Sequence, residues 1–238
     1  MHQHGIAHTN DVIRVLHVDD DPNQQEFLKL FLSESSNKFE VNAITDPEDA
    51  LKEIKENYYD VLVTDFIMPK IDGIQLSKKV RKFSDIPIIL YTGQGSEEVA
   101  EAAFTLGVDD YLRKEMEPSH YQVLANRIKN VVEKNRIDNL YKTVIEQTQE
   151  ALVIVVDKKI VFGNNALFDL LGIQGLSDFG EDPFRFVIPE DREKLMKRFE
   201  KIHNEDTFVK ELHSYRINDT SGKIIHVEVS TSPVKYYG

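Results

Sequence analysis

Cysteine and tryptophan are absent from the 238 residues, and basic residues are the minority among the charged ones. Without cysteine the chain forms no disulfides and no thiolate metal sites, a composition that fits an intracellular protein. Its 29 lysines and arginines are outnumbered by 41 aspartates and glutamates, which gives a formal charge of −12. This balance argues against binding to the nucleic-acid backbone, which requires a basic surface.

Long apolar runs are also missing. No stretch reaches the roughly 18 residues that span a bilayer, and residues 1–11 lack the apolar core of a secretory signal. We therefore expect a cytoplasmic protein without membrane insertion. Residues 1–11 contain three histidines, which could bind a metal, but a disordered terminal segment is the simpler interpretation.

Short apolar runs alternate with amphipathic stretches between residues 13 and 114. The apolar runs predict five strands, which are VIRVLHV, FEVNAI, DVLVTD, IPIILYT and DDYLRK. The stretches between them predict helices, which are PNQQEFLKLFLSE, DPEDALKEIKEN, DGIQLSKKVRKF and SEEVAEAAFTLG. Because the strands are almost continuously apolar, both faces of their sheet should be covered. We predict an α/β fold with a five-stranded, doubly wound parallel sheet.

Polar side chains stand at the carboxyl ends of four of these strands. The set consists of Asp19, Asp20, Asp65, Thr92 and Lys114. The carboxyl ends of parallel strands share one edge of the sheet, where doubly wound folds bind their ligands. We therefore expect these five side chains to converge.

Carboxylates that are brought together need a cation. Oxygen ligands in an incomplete cage suit Mg²⁺, which keeps some of its waters. Beside such an ion, Asp65 can act as a nucleophile and form an acyl phosphate, while Lys114 and Thr92 donate to phosphoryl oxygens. The pattern thus predicts a phosphoryl-transfer site. The alternative is that residues 19–21 only cap a helix and that Thr92 and Lys114 are ordinary surface residues.

Four segments, in this order, resemble the signature segments of response-regulator receiver domains: VLHVDDDP, VLVTDFIMPKIDG, IILYTGQG and DDYLRK. The resemblance extends from residue 13 to about residue 135. It implies that Asp65 is the phosphoacceptor for a sensor histidine kinase or a phosphotransfer protein. It also implies a Mg²⁺ site, made by Asp19, Asp20, Asp65 and the main-chain carbonyl of Ile67.

The remaining roles follow from the same resemblance. Thr92 and Lys114 resemble the catalytic hydroxyl and lysine, and Thr92 and Tyr111 resemble the switch pair that responds to phosphorylation. Asp21 then caps the first helix instead of binding metal. One departure is Glu115, because the family usually has proline after the lysine.

Apolar residues from Tyr121 to Val144 recur at spacings of three and four, with an interruption around Asn135. This pattern predicts one long helix with a coiled-coil-like stripe and a shift in phase. The alternative is two separate helices. The predicted domains are a receiver at 12–135, its fifth helix and a helical linker at 118–148, and a second domain at 141–238.

The second domain resembles a PAS sensor domain. The resemblance lies in TQEALVIVVDKKIVFGNNALFDLLG, IPEDREKLMKRF and SGKIIHVEVSTSPV. It implies an α+β fold with an antiparallel sheet and leaves the PAS ligand unknown. The family has one more strand after the last hairpin, so we expect the domain to be truncated at its C-terminus.

Together these features predict a two-component signalling protein that accepts a phosphoryl group on Asp65 with Mg²⁺. The change would pass through the helical linker to the PAS domain, within a hybrid histidine kinase for example, and a homodimer through the linker or the PAS domain is expected. No catalytic domain is visible beyond the receiver's own phosphorylation and dephosphorylation. The alternatives are a phosphorylation-independent scaffold and a Mg²⁺-dependent phosphohydrolase, which would need a second aspartate where Ile67 stands.

Overall fold

The computed structural model describes residues 12–35, 38–93, 103, 105–115, 117–204 and 212–233. These residues divide into two compact units between Asn139 and Leu140. The predicted disordered segment and most of the helix predicted at 96–107 lie outside the described residues. Within the described part of the chain, no helix has both the length and the apolar character needed to cross a membrane.

The first unit is a parallel sheet between helices. Its strands are β1 (Ile13–Val18), β2 (Phe39–Ile44), β3 (Val61–Thr64), β4 (Ile88–Thr92) and β5 (Asp110–Arg113). Its helices are α1 (Pro22–Ser35), α2 (Pro47–Glu56), α3 (Gly73–Val80) and the first part of α4 (Pro118–Gln147). The strand order is β2-β1-β3-β4-β5, and each neighbouring pair is parallel. This confirms the predicted doubly wound sheet.

Each face of this sheet is buried under its own apolar cluster. Val15 and Val63 belong to the cluster that includes residues of α1 and α4. Leu16 and Leu62 belong to the opposite cluster, with residues of α2 and α3. Since neighbouring residues of a strand point to opposite faces, burial on both faces explains why the strands are apolar without alternation.

The third aspartate of the run at 19–21 caps α1, as the sequence predicted. Asp21 Oδ1 accepts the main-chain N–H of Asn23 at 2.9 Å. Pro22 is the first helical residue, a position where its missing N–H leaves no hydrogen bond unmade. Its role as a helix cap distinguishes Asp21 from the two aspartates before it.

The second unit is α+β, as predicted. Its elements are β6 (Val153–Val156), β7 (Lys159–Gly163), α5 (Asn165–Leu171), a 3-10 helix (Leu176–Phe179), α6 (Pro189–Asn204), β8 (Leu212–Asn218) and β9 (Ile224–Ser230). The pairs β6–β7 and β8–β9 are antiparallel. The further strand expected after β9 would lie beyond the described residues.

The turn between β6 and β7 consists of two residues, Asp157 and Lys158. Asp157 and Lys158 have positive φ angles of 48° and 62°, as in the two-residue turns whose twist suits a hairpin. Lys159 pairs with Val156 and begins β7.

An ion pair joins α6 to β8 and gives the second unit a defined pH response. Asp191 accepts hydrogen bonds from the main-chain N–H and the Nε of Arg216 at 2.8 and 3.0 Å, and from its Nη2 at 2.9 Å. These bonds lower the pKa of Asp191 to about 2. Because the pKa is lower in the folded state, the stabilisation is present above the unfolded value and is lost as the pH falls towards 2.

We expect Asp191→Asn to lower the unfolding midpoint of the second unit at neutral pH, and the difference from the native chain to shrink between about pH 4 and pH 2. Urea titrations followed by circular dichroism at several pH values measure this. Glu190→Gln, which removes an exposed charge from the same helical turn, is the matched control. A difference that stays constant with pH would contradict the assignment.

Candidate functional site

Three carboxylates converge at the carboxyl edge of the parallel sheet. Asp19 and Asp20 follow β1, and Asp65 follows the neighbouring strand β3. The main-chain N–H of Asp65 donates to the Val18 carbonyl at 2.8 Å, which extends the pairing of the two strands. One oxygen from each carboxylate lies within 4.8 Å of the other two. The structure therefore brings these three predicted residues together.

Lys114 adds one positive charge to this cluster. Its main-chain N–H donates to the Thr92 carbonyl at 2.7 Å, which fixes the start of the loop after β5. Its Nζ lies 2.6 Å from Asp19 Oδ2 and 3.3 Å from Asp65 Oδ2. One ammonium among three carboxylates leaves an excess of negative charge.

The excess of negative charge has its largest effect at Asp19, because this residue is buried. The Asp19 side chain is 1% exposed, and its burial raises the pKa of the carboxyl group, against which the hydrogen bond from Lys114 acts. The main-chain N–H of Asp21 also donates to Asp19 Oδ1, at 3.0 Å. A buried carboxylate in this setting is stabilised by further positive charge.

The donor set fits a magnesium ion. Opposite ligands in an octahedral Mg²⁺ shell are about 4 Å apart, since each Mg–O bond is about 2.0–2.1 Å, and the three oxygens lie within 4.8 Å of one another. Asp20 is exposed, which leaves room for waters in the shell, while the Asp65 side chain is 13% exposed. Ile67, two residues after Asp65, is 50% exposed; its carbonyl as a fourth ligand stays a prediction.

The two predicted switch residues occupy neighbouring strands. Thr92 ends β4 and is 1% exposed. Tyr111 lies in β5 and packs against the cluster that includes residues of α2 and α3. In the sheet register Tyr111 is opposite Leu90, while Thr92 is opposite Arg113. Their role as a switch pair stays a prediction.

Two buried polar residues beside the site were missed by the sequence analysis. His17 Nε2 is 3.6 Å from Asp19 Oδ2, and burial, together with the Lys114 charge, lowers the pKa of His17 to about 3. His17 is therefore neutral. The ring of Tyr91 lies 5.8 Å from Lys114 Nζ, in cation–π range. Strand alternation could have identified His17, because a residue two before Asp19 shares its face.

Glu115, which replaces the usual proline, approaches the first turn of α4. Its Oε2 lies 3.7 Å from Nδ1 of the buried His120. The ring of His120 in turn stacks on Tyr91, with 5.8 Å between the ring centroids. None of the described peptide bonds is cis. The loop after Lys114 is thus connected by side chains to α4 and to β4.

Gly73, the first residue of α3, lies against the main chain of Asp65. A Cβ at this position would be 2.1 Å from the Asp65 carbonyl oxygen and 2.8 Å from Leu90 Cδ1. We expect Gly73→Ala to displace the segment that carries Asp65 and to lower the free energy of unfolding by about 1–3 kcal/mol. Urea unfolding measures the loss.

Gly93 supplies the matched control, because a Cβ there meets no atom within 4 Å. Gly93→Ala should leave the stability close to that of the native chain. Equal stability of the two variants would show that the contact between Gly73 and Asp65 is not a constraint.

Comparisons with known proteins agree with this geometry. A family model of the response regulator receiver domain matches residues 15–128, and a model of the PAS domain matches residues 139–204. The chain carries a receiver domain followed by a PAS domain. The receiver match contains the three aspartates and Lys114, and the PAS match begins within α4.

Individual proteins similar to this receiver–PAS chain include a transcriptional regulatory protein and two response regulators. The transcriptional regulatory protein SrrA of Staphylococcus aureus is 26% identical over 227 residues, which cover 90% of each chain. The receiver domain of a Francisella response regulator is 32% identical, with a TM-score of 0.47, and the match covers 52% of this chain and 98% of that one. A two-component response regulator from Clostridium difficile is 27% identical, with a TM-score of 0.46, 51% of this chain covered and 96% of that one. The family matches place the chain in two-component signalling.

Proposed function

We propose that Asp65 accepts a phosphoryl group from a sensor histidine kinase or a phosphotransfer protein, and that this event controls the PAS domain. The observation that carries the proposal is the convergence of three carboxylates and one lysine, with Lys114 Nζ 3.3 Å from Asp65 Oδ2. A carboxylate nucleophile, a divalent-cation site and a fixed positive charge are the parts that phosphoryl transfer needs.

The transfer itself is a displacement at phosphorus. A carboxylate oxygen of Asp65 attacks the phosphorus atom of a phosphohistidine, and the P–O bond forms as the P–N bond breaks. The donor imidazole leaves with the electron pair of that bond and takes up a proton from water. Asp65 Oδ1 accepts the Phe66 N–H at 2.7 Å, which orients the carboxylate. Mg²⁺, held by the three aspartates, would supply positive charge to the phosphoryl oxygens.

Lys114 and Thr92 then respond to the charge of the product. A phosphoryl group adds about −1.5 to −2 charge at neutral pH, by analogy with other phospho groups. Lys114 can move its hydrogen bond from Asp19 towards that charge, because its Nζ already lies within 4 Å of both aspartates. Thr92, which ends the adjacent strand, offers a hydroxyl donor, and Tyr111 fills the space that Thr92 leaves.

The route from the receiver to the PAS domain is α4. This helix begins at Pro118, four residues after Lys114, and continues to Gln147. A shift in its packing is the change that we propose the PAS domain receives. Such a change would suit a receiver and PAS pair that belong to a hybrid histidine kinase. The relative SrrA is described as a transcriptional regulator, but a net charge of −12 disfavours direct DNA binding here.

Incubation with acetyl phosphate tests the proposal, with Mg²⁺ in one sample and EDTA in the other. We expect one phosphoryl group per chain by intact mass, a slower band on a phosphate-affinity gel, and loss of both in EDTA. Hydroxylamine should remove the group, since it cleaves acyl phosphates. An unmodified chain in Mg²⁺ would favour the phosphorylation-independent scaffold.

A further inference from the structure

His17 is a fully buried histidine to which the proposed phosphoryl transfer gives no role. It lies in β1, and its exposed fraction is 0%. Neither of its ring nitrogens has a hydrogen-bond partner within the part of the chain that the structure describes. The large majority of buried polar side-chain atoms are hydrogen-bonded. A histidine that is buried without a partner therefore needs a reason to be there.

The sheet register places His17 directly beneath the carboxylates of the site. On the neighbouring strand β3, its partner is Val63. These two residues come two positions before Asp19 and Asp65 respectively. Residues two apart in a strand point to the same face of the sheet. The imidazole therefore lies one layer below the site, on the same side as its carboxylates.

Two nitrogen atoms lie near the same oxygen of Asp19. Lys114 Nζ donates a hydrogen bond to Asp19 Oδ2 at 2.6 Å. His17 Nε2 is 3.6 Å from this oxygen, which is too long for a hydrogen bond. The other oxygen, Oδ1, accepts the main-chain N–H of Asp21 at 3.0 Å. His17 is thus a second nitrogen beside Oδ2, just outside bonding distance.

A movement of Lys114 would leave Asp19 Oδ2 without its donor. In the proposed reaction, Lys114 turns towards the new charge on Asp65, and its Nζ is already 3.3 Å from Asp65 Oδ2. The Asp19 side chain is 1% exposed, so water has little access to the oxygen that Lys114 leaves. A buried carboxylate oxygen without a donor is costly.

His17 can replace the lost donor with a small movement. The usual N–H···O distance is about 2.9 Å, so the 3.6 Å gap closes with a shift of about 0.7 Å. A neutral imidazole carries one N–H donor, and it holds the oxygen without adding charge to the site. Carboxylates that bind a metal are normally hydrogen-bonded by residues behind them, and these bonds fix their orientation.

We propose that His17 is a positioning residue, which donates its Nε2–H to Asp19 Oδ2 when Lys114 turns to the phosphoryl group. This hydrogen bond keeps Asp19 in place as a magnesium ligand. The role rests on the proposed function, because it exists only in the phosphorylated chain. Before phosphorylation, Lys114 holds Asp19 and His17 contributes little.

Magnesium titrations of the full chain by isothermal calorimetry test this role, with and without beryllium fluoride. Beryllium fluoride forms a tetrahedral adduct on a carboxylate oxygen, so it stands in for the phosphoryl group on Asp65 and is not hydrolysed. His17→Leu removes the donor and keeps a large apolar side chain in the core. We expect it to raise the Kd for Mg²⁺ at least about tenfold with beryllium fluoride, and less than about twofold without it.

His17→Gln is the matched variant, because its side-chain Nε2 offers an N–H donor again. It should bring the Kd with beryllium fluoride back towards the native value. Urea unfolding without Mg²⁺ separates positioning from a structural role. His17→Leu removes two unpartnered buried nitrogens, so the free energy of unfolding should stay the same or rise, while Mg²⁺ binding to the adduct weakens.

The possible failures are distinguishable. If His17→Leu binds Mg²⁺ like the native chain in beryllium fluoride, or loses affinity equally with and without it, His17 has no positioning role, and the proposed function still stands. If beryllium fluoride does not change Mg²⁺ binding by the native chain, both the proposed function and the role of His17 are overturned.

Discussion

Replacing Asp65 by asparagine is expected to abolish phosphorylation of the chain by acetyl phosphate. Asparagine has nearly the shape of aspartate, and its carbonyl oxygen can still accept the Phe66 N–H that now reaches Asp65 Oδ1 at 2.7 Å. The variant should therefore fold and retain Asp19 and Lys114 in place. It loses the anionic oxygen that attacks phosphorus, so the slower band of the phosphate-affinity gel should disappear.

The matched control is Asp85→Asn, which removes an exposed carboxylate from the same unit. This variant should be phosphorylated like the native chain. If Asp65→Asn accepts a phosphoryl group at the native rate, the phosphoacceptor is another residue. Circular dichroism of both variants separates that outcome from a loss of structure.

Much of this site is predictable because it depends on strand order and on strand ends. Asp19, Asp20 and Asp65 follow apolar runs that can only be buried strands, and parallel pairing places the ends of those strands side by side. The sequence predicted this convergence without knowledge of any side-chain contact.

The finer arrangement depends on side-chain conformation, which periodicity does not encode. Lys114 Nζ is closer to Asp19 than to Asp65, at 2.6 against 3.3 Å. His17 and Tyr91 look like ordinary strand residues in the sequence, yet both are buried beside this pair. Only the packed structure shows that a neutral imidazole lies beside the Asp19 carboxylate and an aromatic ring beside the Lys114 ammonium.

In the second unit too, the sequence predicted the fold but not a key side-chain contact. Three local segments that resemble a PAS domain predicted its α+β fold and its antiparallel sheet. The role of Asn164 could not be predicted, because the pair Asn164-Asn165 reads as a turn and a helix start. What Asn164 contacts depends on where the end of α4 lies.

Asn164 is fully buried, and it holds four main-chain groups together. Its Nδ2 donates to the carbonyls of Ile145 and Glu150, at 3.1 and 3.0 Å. Its Oδ1 accepts the N–H groups of Leu152 and Leu167, at 2.9 and 3.1 Å. The side chain thus uses both donor hydrogens and both acceptor sites of an amide. It joins the last turn of α4 to Leu152, the residue before β6, and to the start of α5.

We expect Asn164→Leu to lower the free energy of unfolding of the second unit by about 2–4 kcal/mol, because buried main-chain groups lose their partners. Urea unfolding measures the loss, and hydrogen exchange at the amides of Leu152 and Leu167 localises it.

Asn165→Ala is the matched control, because Asn165 is adjacent and its side chain is exposed. We expect it to change the free energy of unfolding by less than about 0.5 kcal/mol. If both variants unfold alike, the end of α4 is not held by Asn164, and a shift of this helix would reach the PAS core by another contact. If only Asn164→Leu is destabilised, the amide is one point where movement of α4 acts on the start of α5, beside the Glu146 carboxylate, which accepts the Asn165 N–H at 2.8 Å.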